Sequence, residues 1–356
     1  MTDLQIALAL LGAAVIAAVF AHNAWQERRL RRRLEQAFEG QRGDILQQRG
    51  AQPPLPAPRV EPSIGIGPAA VTARIPAAGG ELLPDGAEAV IECFATIECR
   101  QAPGEAALRE LHQAIAVFGK PARLLGEDAA AGGWRVLGRE ARGGHQRLQA
   151  TLQLANRSGA LHAPQLNGFC DALRGWCARN GAEVRLPETA QTLKAALSLD
   201  SFCAETDVVI GLSIMAQPGG AFSGGEVRVA AEAEGFRLET DGVFYRSDAV
   251  GDTLFTLENQ QARPFLADAV DTLQTTGLTL LLDLPRVADA ETLLEQMAAC
   301  GGRLAQALGG KLVDDNRVPL QAESLARIKA QLRAIQTAMA AREIPAGSAR
   351  ARRLFA

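Results

Sequence analysis

The sequence predicts an α+β protein of two tandem units, each an antiparallel sheet with helices on one face, behind a single N-terminal transmembrane helix. Three observations predict it. An uncharged apolar run opens the chain, a proline-rich stretch follows it, and beyond that short alternating strands and amphipathic helices recur twice in similar order. Alternation of apolar and polar residues marks a sheet buried on one side only.

From Ile6 to Ala21 no charged or strongly polar residue occurs. Extended to Leu4 and Ala24, the run matches the ~20 residues that cross a hydrocarbon core. Trp25 follows, then Arg28, Arg29, Arg31, Arg32 and Arg33. A secretory signal carries its positive charge before the apolar run, whereas here it comes after. The positive-inside rule places these arginines and all that follows in the cytoplasm. The reading is an anchor over 1–25 and a basic juxtamembrane helix over 26–38, in reach of anionic inner-membrane lipid. Residues 39–86 lack periodicity and carry Pro53, Pro54, Pro56, Pro58 and Pro62. Such a stretch cannot build a core and serves as a linker.

The first unit, 87–200, opens on VIECFATIEC. Ile91, Cys93, Ala95 and Ile97 face one way; Glu92, Phe94, Thr96 and Glu98 face the other. A helix of 104–118 with Leu108, Leu111 and Ile115 on one face follows, then strands near 121–125, 133–138 and 146–155. Next come a helix from Pro164 to Arg179 stopped by Gly181, a strand AEVRL, and a short helix near 189–198. The second unit, 205–341, starts with Val208, Ile210, Leu212 and Ile214 on one face. A helix of 224–235, strands near 236–240, 242–247 and 252–259, a short helix around 264–270 and a strand of 277–284 continue it. Asp289 caps a helix with the stripe Leu293, Met297, Leu304 and Leu308; KLVDD is a short strand. Leu325, Ile328, Leu332, Ile335 and Met339 mark the final helix. The shared order suggests an internal duplication. The basic tail 342–356 reads as a frayed terminus.

Nothing in the composition points to chemistry. Net charge is -3, which argues against a nucleic-acid partner. The six cysteines form no C-x-x-C pair, and with His22, His112, His145 and His162 they complete no metal pattern. They read as free buried thiols, and no cofactor or metal is called for. PGGAFSGG lacks the Gly-Lys-Ser/Thr of a phosphate loop and reads as a β–α connection. Asp314 and Asp315, adjacent on a strand, point to opposite faces and suit a turn. His112 and His145 have no partner at a recognisable spacing.

Four stretches of the second unit carry a resemblance: GGKLVDDNRVPL (Gly309 to Leu320), DGVFYR (Asp241 to Arg246), LFTLEN (Leu254 to Asn259) and TTGLTLLLDLP (Thr275 to Pro285). With the anchor, basic cluster and proline-rich linker ahead of it, segment 205–341 resembles the ZipA C-terminal FtsZ-binding domain family. The first unit is not covered by the family's single-domain pattern.

The resemblance implies a split β-α-β fold whose six-stranded sheet leaves one face bare. It implies a shallow apolar groove there that receives the C-terminal tail peptide of FtsZ, as helix or extended segment. Carried over by position, the groove comprises Val209, Gly211, Asp241, Val243, Gln260, Ala262, Thr279 and Leu281. The family pattern has large apolar residues where this chain has Gly211, Asp241 and Gln260, a basic one at Ala262 and an aromatic one at Leu281. The expected function is therefore a non-enzymatic, inner-membrane cell-division adaptor tethering the division ring, with FtsZ and membrane lipid as partners and self-association as a further option. Two alternatives stand beside it: a scaffold of envelope or divisome assembly that kept the fold without FtsZ, and a membrane-tethered enzyme using His112, His145 or a free cysteine.

Overall fold

The computed structural model describes residues 82–83, 86–141, 143–314 and 317–356. The expected anchor, the arginine cluster and nearly all of the linker lie outside them. Among the described residues no helix is long and apolar enough to cross a membrane.

The alternation of the first strand builds the first sheet. In β2 (Glu92–Cys99) the residues Cys93, Ala95, Ile97 and Cys99 are buried, with Ile91 just before them. The strand pairs antiparallel with β5 (Arg147–Gln153) from Glu92↔Gln153 to Glu98↔Arg147. Together with β1 (Leu82–Leu83), β3 (Ala122–Asp128), β4 (Gly133–Leu137) and β8 (Ala182–Arg185) they form a six-stranded sheet of order β1-β4-β3-β5-β2-β8, every pairing antiparallel. A small hairpin of β6 (Ala155–Asn156) and β7 (Gly159–Ala160) lies beyond β5. Helix α1 (Glu105–Ile115) buries the expected Leu108, Leu111 and Ile115. Helix α2 (Ala163–Asn180) buries Phe169, Leu173 and Trp176, and Gly181 ends it at φ +61°, a conformation that favours glycine.

Helix α3 (Thr189–Thr206) is almost twice the length expected and runs through the presumed boundary near 200. Its buried residues are Thr192, Ala196, Leu199, Phe202, Cys203 and Thr206, while Leu197 is exposed. Small and polar residues on the buried face mute the periodic signal. Glu188 caps it by accepting from the amides of Ala190 and Gln191.

In the second sheet β15 (Gly277–Asp283) is a central strand and pairs with β9 (Val209–Met215) from Gly277↔Met215 to Asp283↔Val209. Around them lie β11 (Arg237–Leu238), β12 (Phe244–Ser247), β13 (Thr253–Asn259) and β16 (Lys311–Val313), in the order β11-β12-β13-β15-β9-β16. Leu212, Ile214, Phe255, Leu257, Leu278, Leu280 and Leu282 are buried on one face. Helix α4 (Gly224–Ala233) follows a β–α connection containing β10 (Phe222–Ser223), which pairs with β14 (Gln274–Thr275). Helix α5 (Ala290–Ala307), capped by Asp289, lies close on the sheet. A Cβ at Gly301 would sit 2.9 Å from both Leu280 and Leu312. Helix α6 (Ala322–Ala341) buries Leu332 and Met339 and joins α5 through the ion pairs Lys329–Glu295 and Arg333–Glu291. The expected helix at 264–270 is absent. The chain there turns and forms only a 3-10 turn at Val270–Thr272, Pro264 and the buried Phe265 and Val270 holding it as a loop against the core.

Both sheets share strand directions and spatial layout: an edge strand after the unit's large helix, then its first strand, then four more. Their threading differs. In the first unit the chain enters at β3, turns out to β4 and crosses back to β5, and β1 fills the far edge. In the second it meanders inward from β11 to β15.

Two expectations fail at one place. Glu92, assigned to a solvated face, is 2% exposed, and Gln149, Thr151 and Gln153 on the same side are buried too. The tail, expected to fray, is α7 (Ala349–Leu354), capped by Ser348, with Ala351, Leu354 and Phe355 fully buried. The two facts share a cause. Arg353 and Arg350 of the tail reach Glu92 and Glu88, and Arg123 pairs with both glutamates. Thr151 donates a further hydrogen bond to Glu92. Burial alone would push the Glu92 carboxyl up, but hydrogen bonds and charge from Arg123 and Arg353 outweigh it and hold it below the ordinary glutamate value.

Candidate functional site

Strand period places every second residue of the second sheet on the face away from its core. Register then aligns them. Tyr245, Thr256, Leu281 and Gly211 form one row across β12, β13, β15 and β9; Glu258, Thr279 and Ser213 form the next. All are partly exposed. At the β9 end of this face lies a depression of about 250 Å³, floored by Val209, Leu254, Thr256 and Leu281. Tyr245 and Glu258 bound one side. Asp283, Arg286 and Val287 bound the other.

The polar groups are arranged unevenly. Tyr245 Oη donates to Asp241 at 2.7 Å, and the Val243 amide donates to the same carboxylate at 3.1 Å. The hydrogen bond to Asp241 and burial push the Tyr245 hydroxyl up to about 12. Burial raises the Glu258 carboxyl, against a weak hydrogen bond from Thr256 at 3.3 Å. Burial also raises Asp283, opposed by Arg157, which bridges Asp283 and Asp207 at 2.8 Å each.

Of the eight groove residues carried over by resemblance, Val209, Gly211, Thr279 and Leu281 share this sheet face, and Val209 and Leu281 line the depression. Val243 sits beside the sheet at the β11–β12 connection, and Asp241 is exposed in that turn. Gln260 and Ala262 occupy the exposed turn after β13, where the Gln260 amide donates to the Gly277 carbonyl. The carry-over omits Tyr245, Leu254, Thr256, Glu258, Asp283, Arg286 and Val287. Alternation within β13 marks Leu254, Thr256 and Glu258 as one face, but pairing register, which brings them to Leu281, is a tertiary property.

The residues weighed for catalysis do not converge. All six cysteines are free and buried, and burial pushes the thiols of Cys93 and Cys203 up to about 12 and those of Cys177 and Cys300 to about 11. Such thiols are poor nucleophiles at neutral pH. His145 Nδ1 lies 2.8 Å from the Glu127 carbonyl, and His112 Nδ1 is buried without a partner. Asp314 accepts from the Val318 amide in a turn, and Asp315 lies outside the described residues.

Comparison with known proteins agrees with the resemblance read from the sequence. Residues 208–331 match the family described as ZipA, C-terminal FtsZ-binding domain. Over 176 residues the chain is 26% identical to the cell division protein ZipA of Haemophilus ducreyi, a match covering 48% of this chain and 50% of that protein. The chain thus spans about half the length of the curated relative it matches. The matched family segment starts at the head of β9, ends within α6 and contains the whole depression, so the second unit is the part of the chain that is similar to the ZipA C-terminal family.

Proposed function

We propose that the chain is a membrane-anchored cell-division adaptor that binds the C-terminal tail of FtsZ on the open face of its second sheet and tethers the division ring to the inner membrane. The observation that carries this reading is the apolar-floored depression at Val209, Leu254 and Leu281, on the face that a ZipA-type domain leaves uncovered. Val209, Gly211, Asp241, Val243, Gln260, Ala262, Thr279 and Leu281 form the proposed contact set, extended by Tyr245 and Thr256. Recognition follows the logic of a short peptide laid in a groove, with a few apolar anchors carrying most of the energy. The protein acts by binding. Arg28, Arg29, Arg31, Arg32 and Arg33 meet anionic headgroups in this scheme, and the two α+β units descend from one duplicated unit whose threading has diverged.

A second reading has its own support. Gly211 adds no side chain to this face, Glu258 brings a carboxylate to the depression, and Asp241 holds the Tyr245 hydroxyl beside it. A scaffold that kept the fold and binds another partner would show this pattern. Calorimetry with the full chain and a peptide of the FtsZ C-terminal tail separates the two. Saturable binding lost on Leu281→Asp supports the adaptor. No binding at high micromolar peptide by a folded chain leaves the scaffold.

A further inference from the structure

The first unit lies outside the matched family segment, yet it reaches the groove. Arg157, in the turn between β6 and β7, directs its guanidinium across to the second unit. Nη2 lies 2.8 Å from Asp207 and 2.8 Å and 2.9 Å from the two oxygens of Asp283. Asp283 lines the depression at the end of β15, and Arg286 and Val287, from the turn that Leu284 begins, form its wall. The C-terminal segment holds this assembly from behind. The Gly347 amide donates to the Pro285 carbonyl at 2.9 Å, and Gly347 lies so close that a Cβ would stand 2.4 Å from the Ala288 nitrogen. The buried Phe355 ring lies 5.9 Å from the Arg157 guanidinium. The tail is fixed in turn to the first sheet: Gln153 donates to the Arg353 carbonyl, and Arg350 and Arg353 pair with Glu88 and Glu92.

We infer that the groove is a composite site, in which Arg157 of the first unit is a positioning residue that holds Asp283 and the 284–287 wall, and the C-terminal helix keeps Arg157 in place. The first unit is thereby a buttress for peptide binding by the second. Its fork of donors fits two carboxylates at once, which a lysine cannot reproduce. The inference rests on the reading of this face as a peptide groove, but its structural half stands or falls separately.

The test uses the full chain in detergent micelles with Arg157→Ala, Arg157→Lys and Phe355→Ala. Two readouts are taken: amide hydrogen exchange by segment, and affinity for the FtsZ C-terminal-tail peptide. Arg157→Ala is expected to speed exchange across 281–287 about tenfold while β2 and β5 keep their protection. Peptide binding should weaken at least about threefold, and Arg157→Lys should fall between. Phe355→Ala should loosen 349–354 and 281–287 together. Unchanged exchange at 281–287 when 349–354 has become fast overturns the buttress. So does exchange over 281–287 in a folded Arg157→Ala that matches the unmodified chain. Should Arg157→Ala unfold, Arg157→Lys decides by whether its faster exchange is confined to 281–287. Absence of peptide binding by the unmodified chain would sink the peptide reading alone, since exchange still decides the contact network.

Discussion

The two sheets of this chain have the same six-strand layout and strand directions, and each has a face its own helices leave uncovered. They meet that problem in opposite ways. On the first sheet the face is partly buried around Glu92, Thr151 and Gln153, under a C-terminal helix that contributes two arginines and three buried apolar residues. On the second the face keeps a shallow depression with an apolar floor. An antiparallel sheet can leave one face to water, so coverage is a choice of the rest of the chain. Here the C-terminal segment occupies one face and leaves the other open.

The largest effect should come from breaking the covered face. Glu92→Ala leaves the partly buried Arg123 and Arg353 with Glu88 as their remaining shared carboxylate, and should destabilise the protein by about 2–3 kcal/mol in chemical denaturation. Phe355→Ala empties a fully buried site at the junction, with an expected loss of about 3 kcal/mol or more and faster exchange over 349–354. Little change in either variant would mean the tail is not a structural cover.

Acid should act on the same contact. Glu92 has a folded pKa below its unfolded value, so its contribution is fully present above the ordinary glutamate range and is lost as pH falls through the lowered folded value. Thermal melts from pH 7 to pH 3 should therefore show Tm falling below about pH 4. Glu92→Gln should flatten that slope.

The open face predicts binding effects in place of stability effects. Leu281→Asp should weaken the FtsZ-tail peptide at least tenfold, about 1.4 kcal/mol, with Tm little changed. Phe94→Asp, on the exposed part of the first sheet's outer face, should leave peptide affinity unaltered. Smallest of all, Val250→Ser, at a side chain 88% exposed, should shift stability by no more than about 0.5 kcal/mol. Equal loss of peptide binding in Leu281→Asp and Phe94→Asp would erase the distinction between the two faces.

Much of the fold was legible residue by residue. The alternation in VIECFATIEC and DVVIGLSI located both first strands, and the stripes on α1, α5 and α6 located those helices. Helix α3 was half missed because its buried stripe is made of alanine, threonine and cysteine as much as leucine. The site was less legible. The resemblance supplied Val209 and Leu281, while Tyr245, Leu254 and Thr256 join them only through register. Arg157 lies 126 residues from Asp283 in the chain, and no local pattern announces such a pair.

The sequence by itself determined the main strands of both sheets, the helices α1, α2, α5 and α6, the apolar side of each unit's first strand, and the family that the second unit resembles. Those properties are local: hydrophobic period, capping residues and turn glycines act over a few positions. Tertiary structure decided the threading of the first sheet, the burial of Glu92, the docking of ARARRLFA as a helix and the meeting of Arg157 with the groove. Each depends on groups far apart in the chain whose charges and apolar surfaces become neighbours only when the core closes. A carboxylate that reads as solvated in the strand is then stable inside because arginines from two other elements, Arg123 and Arg353, arrive to meet it.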